Sequence, residues 1–295
     1  MNKQNFALDP KYYGLPDLAE LTDYRIWDSH YHGFMTSGQD IKQHLQMIPY
    51  IERMGIERVI SVDIGGTLAD PLDSKPHDKD QWEILHKDQR FISGIMPIDP
   101  GFPAESVEKM KKWIAEGPCI GIKYVGGNKR GVTCDAPEND IIIRYAVEQK
   151  AVIYIHTWMK VGGMPARPFG ANLKGESTPM DVVALAKRFP DVQMICGHAG
   201  GDWELAARVI RPYENILFEF SGADPHSGSV DLAVKELGAD RIVWGGHGPS
   251  RSYSTELSKV LDANISLKDR KKIFGENYRK LCQGIFAKKG LKLVI

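Results

Sequence analysis

RIWDSHYH, residues 25–32, is a short run of large apolar residues that closes on two histidines. Seven further runs of similar length follow. They are RVISVDI (58–64), RFISGIMPID (90–99), CIGIKYV (119–125), AVIYIHTW (151–158), QMICGHAG (193–200), ILFEFSG (216–222) and RIVWGGHG (241–248). Each has the length of a buried strand and is apolar on both faces, as strands of a parallel sheet must be.

Longer amphipathic stretches lie between them. DIKQHLQMIPYIERMG (40–55) puts Ile41, Leu45, Ile48 and Ile51 on one face at helical spacing, with Pro49 as a bend and Gly55 as a stop. AESVEKMKKWIAEG (104–117), PENDIIIRYAVEQK (137–150) and STPMDVVALAKRF (177–189) continue the series, the last opening on an N-cap signature. DWELAARVIRPY (202–213), SGSVDLAVKELG (227–238) and SLKDRKKIFGENYRKLCQGIF (266–286) complete it. Eight strands alternating with helices imply a parallel sheet with crossover connections. Closed eightfold, that is a (β/α)8 TIM barrel; left open, it is a doubly wound sheet. No GxGxxG opens any helix, so a dinucleotide site has no support. Residues 1–24 read as an N-terminal arm, and residues 25–295 as one barrel domain.

Composition narrows the partners. The chain has 295 residues, with 38 Lys plus Arg against 38 Asp plus Glu. Zero net charge argues against nucleic acid, whose binding neutralises many phosphates, and leaves a small-molecule substrate. No apolar run approaches the ~20 residues of a membrane span. The opening MNKQNFALDPKYYGLPD has no apolar core of a secretory signal. Cys119, Cys134, Cys196 and Cys282 are scattered without a CxxC pair, which fits a reduced, cytoplasmic protein. A homo-oligomer is the base-rate expectation.

Five of the nine histidines fall at the C-terminal ends of proposed strands: His30, His32, His156, His198 and His247. In a TIM barrel these ends converge on one mouth, where chemistry is done. His30 and His32 stand at i and i+2 and so point the same way from a strand, which suits two ligands on one metal ion. Imidazole favours zinc and other late first-row metals. Asp28 shares that face and could ligate or accept a ligand's N–H. His44, His77 and His86 read as solvated.

WDSHYH, GIK, YIHTW, CGHAGGDW and IFGENYRKL, in this order and spacing, resemble the amidohydrolase-related proteins of the metal-dependent hydrolase superfamily. The resemblance covers roughly residues 24–286. It implies a distorted TIM barrel and one divalent metal ion, zinc or else manganese. It also implies either hydrolysis of amides and lactones or non-oxidative decarboxylation of small carboxylated substrates. By position, His30, His32 and His156 match metal ligands. His198 matches a residue that ligates in some members and touches substrate or water in others. Lys123 matches a lysine that other branches carboxylate and this branch leaves unmodified; it reads as a cation facing the substrate.

The sequence departs from the family at the eighth strand. Where the resemblance implies an aspartate that ligates the metal and serves as base, this chain has His247. His247 either ligates or acts as base; Asp202 and Asp224 are further candidates for the base. A loop from Met159 to Thr178 carries Arg167, which with Arg251 could clamp a carboxylate, and Trp158 and Trp203 could form an apolar wall. His226 lies near the rim. The leading expectation is a hydrolase in which metal-activated water attacks a carbonyl. The alternatives are a decarboxylase, or a barrel that binds metal or ligand without turnover because the aspartate is missing.

Overall fold

The computed structural model describes residues 11, 14–33, 41–66, 71–72, 78–87, 91–159, 172–222 and 227–295. The eight apolar runs form eight strands: β1 (Ile26–Tyr31), β2 (Ile56–Ser61), β3 (Ile92–Ile98), β4 (Gly121–Tyr124), β5 (Val152–His156), β6 (Met194–Gly197), β7 (Ile216–Glu219) and β8 (Ile242–Val243). They lie in sequence order in one sheet, each parallel to the next. A doubly wound sheet would shuffle that order. The ring is drawn together between β8 and β1, where Ser29 N donates to Trp244 O at 3.2 Å and His32 N to Gly248 O at 2.7 Å. The protein is a TIM barrel. Two features distort it: a two-residue β8, and register shifts between β1 and β2.

The strands are buried because helices cover their outer face and side chains fill the barrel. All six residues of β1 and all seven of β3 are buried. The helices are α1 (Leu18–Asp23), α2 (Ile41–Arg53), α3 (Asp78–Lys87), α4 (Pro103–Met110), α5 (Asp140–Gln149), α6 (Pro179–Arg188), α7 (Trp203–Ile210), α8 (Ser229–Leu237), α9 (Tyr253–Leu261), α10 (Leu267–Lys271) and α11 (Asn277–Lys288). Thr178 caps α6 in a reciprocal pair with Asp181, satisfying amides that the first turn leaves open.

The helix reading needs two corrections. On α2, Leu45 is 50 % exposed, while His44 is fully buried with its ring 5.7 Å from that of Tyr31. The aromatic contact takes the inward position that the spacing gave to Leu45, and His44 is not solvated. Helices α3 and α9 were not among the expected elements. DKDQWEILHK has only Trp82, Ile84 and Leu85 as apolar residues, whereas in YSTELSKVL the buried Tyr253, Leu257 and Val260 stand at i, i+4 and i+7 and do carry a helical period.

The described part of the N-terminal arm packs on the barrel. Leu21 is fully buried, and the Tyr24 ring lies 5.1 Å from that of Phe274. All four cysteines are buried and free of disulfides. Among the described residues no helix is long and apolar enough to cross a membrane.

Candidate metal centre and barrel mouth

β1 delivers His30 and His32 to the mouth with their Nε2 atoms 2.9 Å apart. His198 follows β6 and His247 follows β8; their rings lie 4.7 and 4.5 Å from that of His30. His198 and His247 sit at left-handed φ of 60° and 50°, which non-glycine residues rarely adopt and which cost on the order of 1–3 kcal/mol each. Gly222 makes room for both rings. A Cβ there would lie 2.7 Å from His247 Nε2 and 3.2 Å from His198 Nδ1.

Hydrogen bonds assign the protons on three imidazoles. His198 Nδ1 lies 2.7 Å from the Ser221 carbonyl, which can only accept. His30 Nδ1 lies 2.7 Å from the Tyr154 hydroxyl, whose single proton goes to Glu219. His247 Nδ1 faces the Ser250 hydroxyl, whose proton goes to the His247 carbonyl. Each Nδ1 therefore donates, and each Nε2 keeps its lone pair. The His30 Nε2 lone pair faces two hydrogen-bond partners: Lys123 Nζ, which donates at 2.8 Å, and His32 Nε2 at 2.9 Å, whose own tautomer no comparable bond fixes.

Among the described residues, two groups have ligand atoms close enough to share an ion: His30, His32 and His247, and His30, His198 and Glu219. In the second group the carboxylate already accepts from the Tyr154 hydroxyl, the His198 amide and the Ser221 amide. The first group fits a divalent metal better, because borderline metals take neutral imidazole, and an ion there would displace Lys123 from the His30 lone pair without stripping Glu219 of its three donors.

Burial dominates the electrostatics. It holds His30, His32 and His198 well below the ordinary imidazole range, with further lowering from Lys123 and neighbouring histidines. His247 is pushed down to about 3, first by burial and then by Lys123. Burial also lowers Lys123 to about 7, against the pull of Asp63 and Glu219. Asp28 is raised to about 7 by burial, although its oxygens accept from the amides of Gly246 and His30 and from the Tyr253 hydroxyl. Asp28 thus ties β1 to the segment after β8 instead of facing the imidazoles.

The other expected residues divide. His156 reaches the mouth, its ring 4.6 Å from that of His198, but its Nε2 faces Glu176 Oε1 at 2.9 Å and it belongs to neither ligand group. The resemblance implies His156 as a ligand, and Glu176 engages its Nε2. Asp202 caps α7 through the Leu205 amide, so its carboxylate is directed along the helix. Trp158 and Trp203 are partly buried, and Trp203 packs against the core. Arg251 is exposed and donates to the Gly222 carbonyl at 3.0 Å, close to the mouth. Arg167, Asp224 and His226 lie outside the described residues, as does His77.

Sequence reasoning missed Glu219, Tyr154 and Glu176. A glutamate inside the apolar run ILFEFSG was the available signal for the first. Tyr154 stands at i−2 to His156 and shares its face. Glu176, in a loop, gave no local signal. A cavity of about 210 Å³ is lined by Asp99, Phe102, Gly127, Asn128 and Lys129, from the segments that follow β3 and β4. A larger one, about 350 Å³, opens at the opposite end of the barrel beside Gly117, Gln149 and Lys289, away from the imidazoles.

Solved structures share this architecture. A dihydroxybenzoic acid decarboxylase from Polaromonas sp. JS666, with bound manganese and the inhibitor 2-nitroresorcinol, is 16 % identical with a TM-score of 0.65, covering 88 % of this chain and 96 % of that one. A 2,6-dihydroxybenzoate decarboxylase from Rhizobium is 18 % identical with a TM-score of 0.62, over 84 % and 88 %. An amidohydrolase from Burkholderia multivorans with bound HEPES is 14 % identical with a TM-score of 0.62, over 87 % and 98 %. No curated protein sequence matches the chain. At these identities the structural likenesses establish the fold alone. The sequence profile of the amidohydrolase family reaches further, matching residues 69–281. With that match over more than half its length, the chain belongs to the amidohydrolase family.

Proposed function

We propose that the chain is a metal-dependent, non-oxidative decarboxylase of a small carboxylated aromatic substrate. The carrying observation is the imbalance of free groups at the mouth. Nitrogen converges there from His30, His32, His198, His247 and Lys123. The buried carboxylates of Glu219 and Asp28 are each engaged by three donors. Hydrolysis of a neutral amide or lactone needs a base for the attacking water. Among the described residues nitrogen outnumbers carboxylate at this centre, and a nitrogen-lined centre attracts an anion. The aromatic carboxylate decarboxylases among the structural neighbours support the same reading, and manganese in one of them supports a divalent ion.

The Nε2 atoms of His30, His32 and His247 would hold the metal, zinc or manganese, which supplies Lewis acidity for a carboxylate or an adjacent oxygen. The chain's own groups do the rest. Lys123 adds positive charge beside His30. Ser221 fixes the His198 Nδ1 proton, so His198 takes up and releases a proton only at Nε2. A proton taken up there from solvent goes to the ring carbon bearing the carboxylate and leaves His198 neutral again. The bond to the carboxylate then breaks, its electron pair returns to the ring, and carbon dioxide leaves. The 210 Å³ cavity after β3 and β4 exceeds the ~150 Å³ that accommodates benzene, so a single ring would fit there.

The test is carbon dioxide release from hydroxylated benzoates by protein loaded with zinc or manganese. His198→Asn should lower kcat by about 10²–10⁴ while leaving metal content unchanged. Turnover of lactones or amides with no carbon dioxide release would return the hydrolase reading. Protein that binds neither metal would refute both.

A further inference from the structure

Glu219, on β7, is fully buried between two imidazoles of the site. Its Oε2 accepts from the Tyr154 hydroxyl and from the His198 amide at 3.1 Å, and its Oε1 accepts from the Ser221 amide. Tyr154 in turn accepts from His30 Nδ1, and the Ser221 carbonyl accepts from His198 Nδ1. One carboxylate therefore stands behind the proton positions of both rings. The packing accommodates it: a Cβ on Gly245 of the next strand segment would lie 2.5 Å from Glu219 Oε1.

A metal held by neutral imidazoles alone carries its full charge into a buried site. A carboxylate hydrogen-bonded behind a ligating imidazole relieves this, because it fixes the ring and raises the basicity of the ligating nitrogen. Glu219 Oε2 lies 3.9 Å from His30 Nδ1, with the Tyr154 hydroxyl bridging the two. We infer that Glu219 is the positioning carboxylate of the metal centre. Through Tyr154 it holds His30 with its Nε2 lone pair toward the ion, and it supplies from the seventh strand the negative charge that His247 does not supply on the eighth. The inference rests on the metal-centre reading proposed above. It makes Glu219 and Tyr154 positioning residues that touch neither ion nor substrate.

Metal affinity, measured by competition with a chromogenic chelator for zinc and for manganese, tests it without recourse to turnover. Glu219→Gln and Tyr154→Phe should each weaken binding about 10- to 100-fold. Adding His247→Asp to Glu219→Gln should restore at least about tenfold, since it returns a carboxylate to the centre. A packing role alone would not be rescued from another strand. Nitrogen NMR of Tyr154→Phe should show His30 released from its single tautomer. Protein that binds neither metal before any substitution refutes the metal centre itself. Unaltered affinity in both single variants overturns the inference and leaves the centre standing. A loss that His247→Asp does not repair overturns the charge role. If circular dichroism shows Glu219→Gln unfolded, Tyr154→Phe decides alone, and unchanged affinity there refutes the relay.

Discussion

Lys123 carries a penalty that can be read as a stability slope. Burial lowers its ammonium from 10.5 to about 7, with Asp63 and Glu219 opposing. Between these values the unfolded chain holds a proton that the folded chain has released, so raising the pH favours folding. The stability is whole above the unfolded pKa and is lost as pH falls through the folded one. At about 1.4 kcal/mol per pH unit the whole effect is on the order of 5 kcal/mol, and about 1.5 kcal/mol of it returns between pH 7 and 8.5. Asp28, raised from 3.8 to about 7, and the imidazoles, lowered from 6.5, still titrate at the lower edge of this window. Urea unfolding of metal-free protein near both ends of the window, with and without Lys123→Met, isolates the contribution, because groups common to both chains cancel. The unaltered chain should gain about 1.5 kcal/mol more than Lys123→Met over that interval. An equal gain in the two proteins would refute the reasoning, since the buried amine would then not be the titrating group.

Gly222→Ala places a Cβ against the His247 ring, and should weaken metal binding at least about tenfold in the chelator assay. Leu21→Ala removes a fully buried side chain from the arm and should cost about 2–5 kcal/mol in urea unfolding; a negligible cost would mean that the arm is not docked in solution. Asp202→Ala should cost about 1 kcal/mol, the value of a lost helix cap, and leave kcat unaltered. A collapse of kcat there would instead restore Asp202 as a base.

The eight strands were legible because burial on both faces leaves continuous apolar runs, and the crossover helices because their inward faces repeat. That logic stopped at α3, whose three apolar residues give no clear period, and did not extend to α9, where Tyr253, Leu257 and Val260 carry one. It also misplaced Leu45, where an aromatic contact with His44 outweighed apolar spacing. Four of the five mouth histidines cluster, with the rings of His32, His198 and His247 each within 4.7 Å of that of His30, as strand position implied. Their partners were not legible. Tyr154, Ser221 and Ser250 matter through the direction of a single hydrogen bond, and His156 turns toward Glu176 across a loop. A pattern of apolar and polar residues carries no information about which ring nitrogen a distant carboxylate claims.

His30 and His32 come from the first strand and His247 from the segment after the last. A ribosome releasing this chain has made both early imidazoles long before it makes the third. The three meet only when β8 reaches β1 and Asp28 accepts the Gly246 amide at 2.6 Å. A nascent or truncated barrel lacking that last segment can present a pair of histidines but never the triad. The imidazole cluster is thus a chemical record of ring closure: a metal ion that requires all three would be captured only by a barrel that has finished assembling.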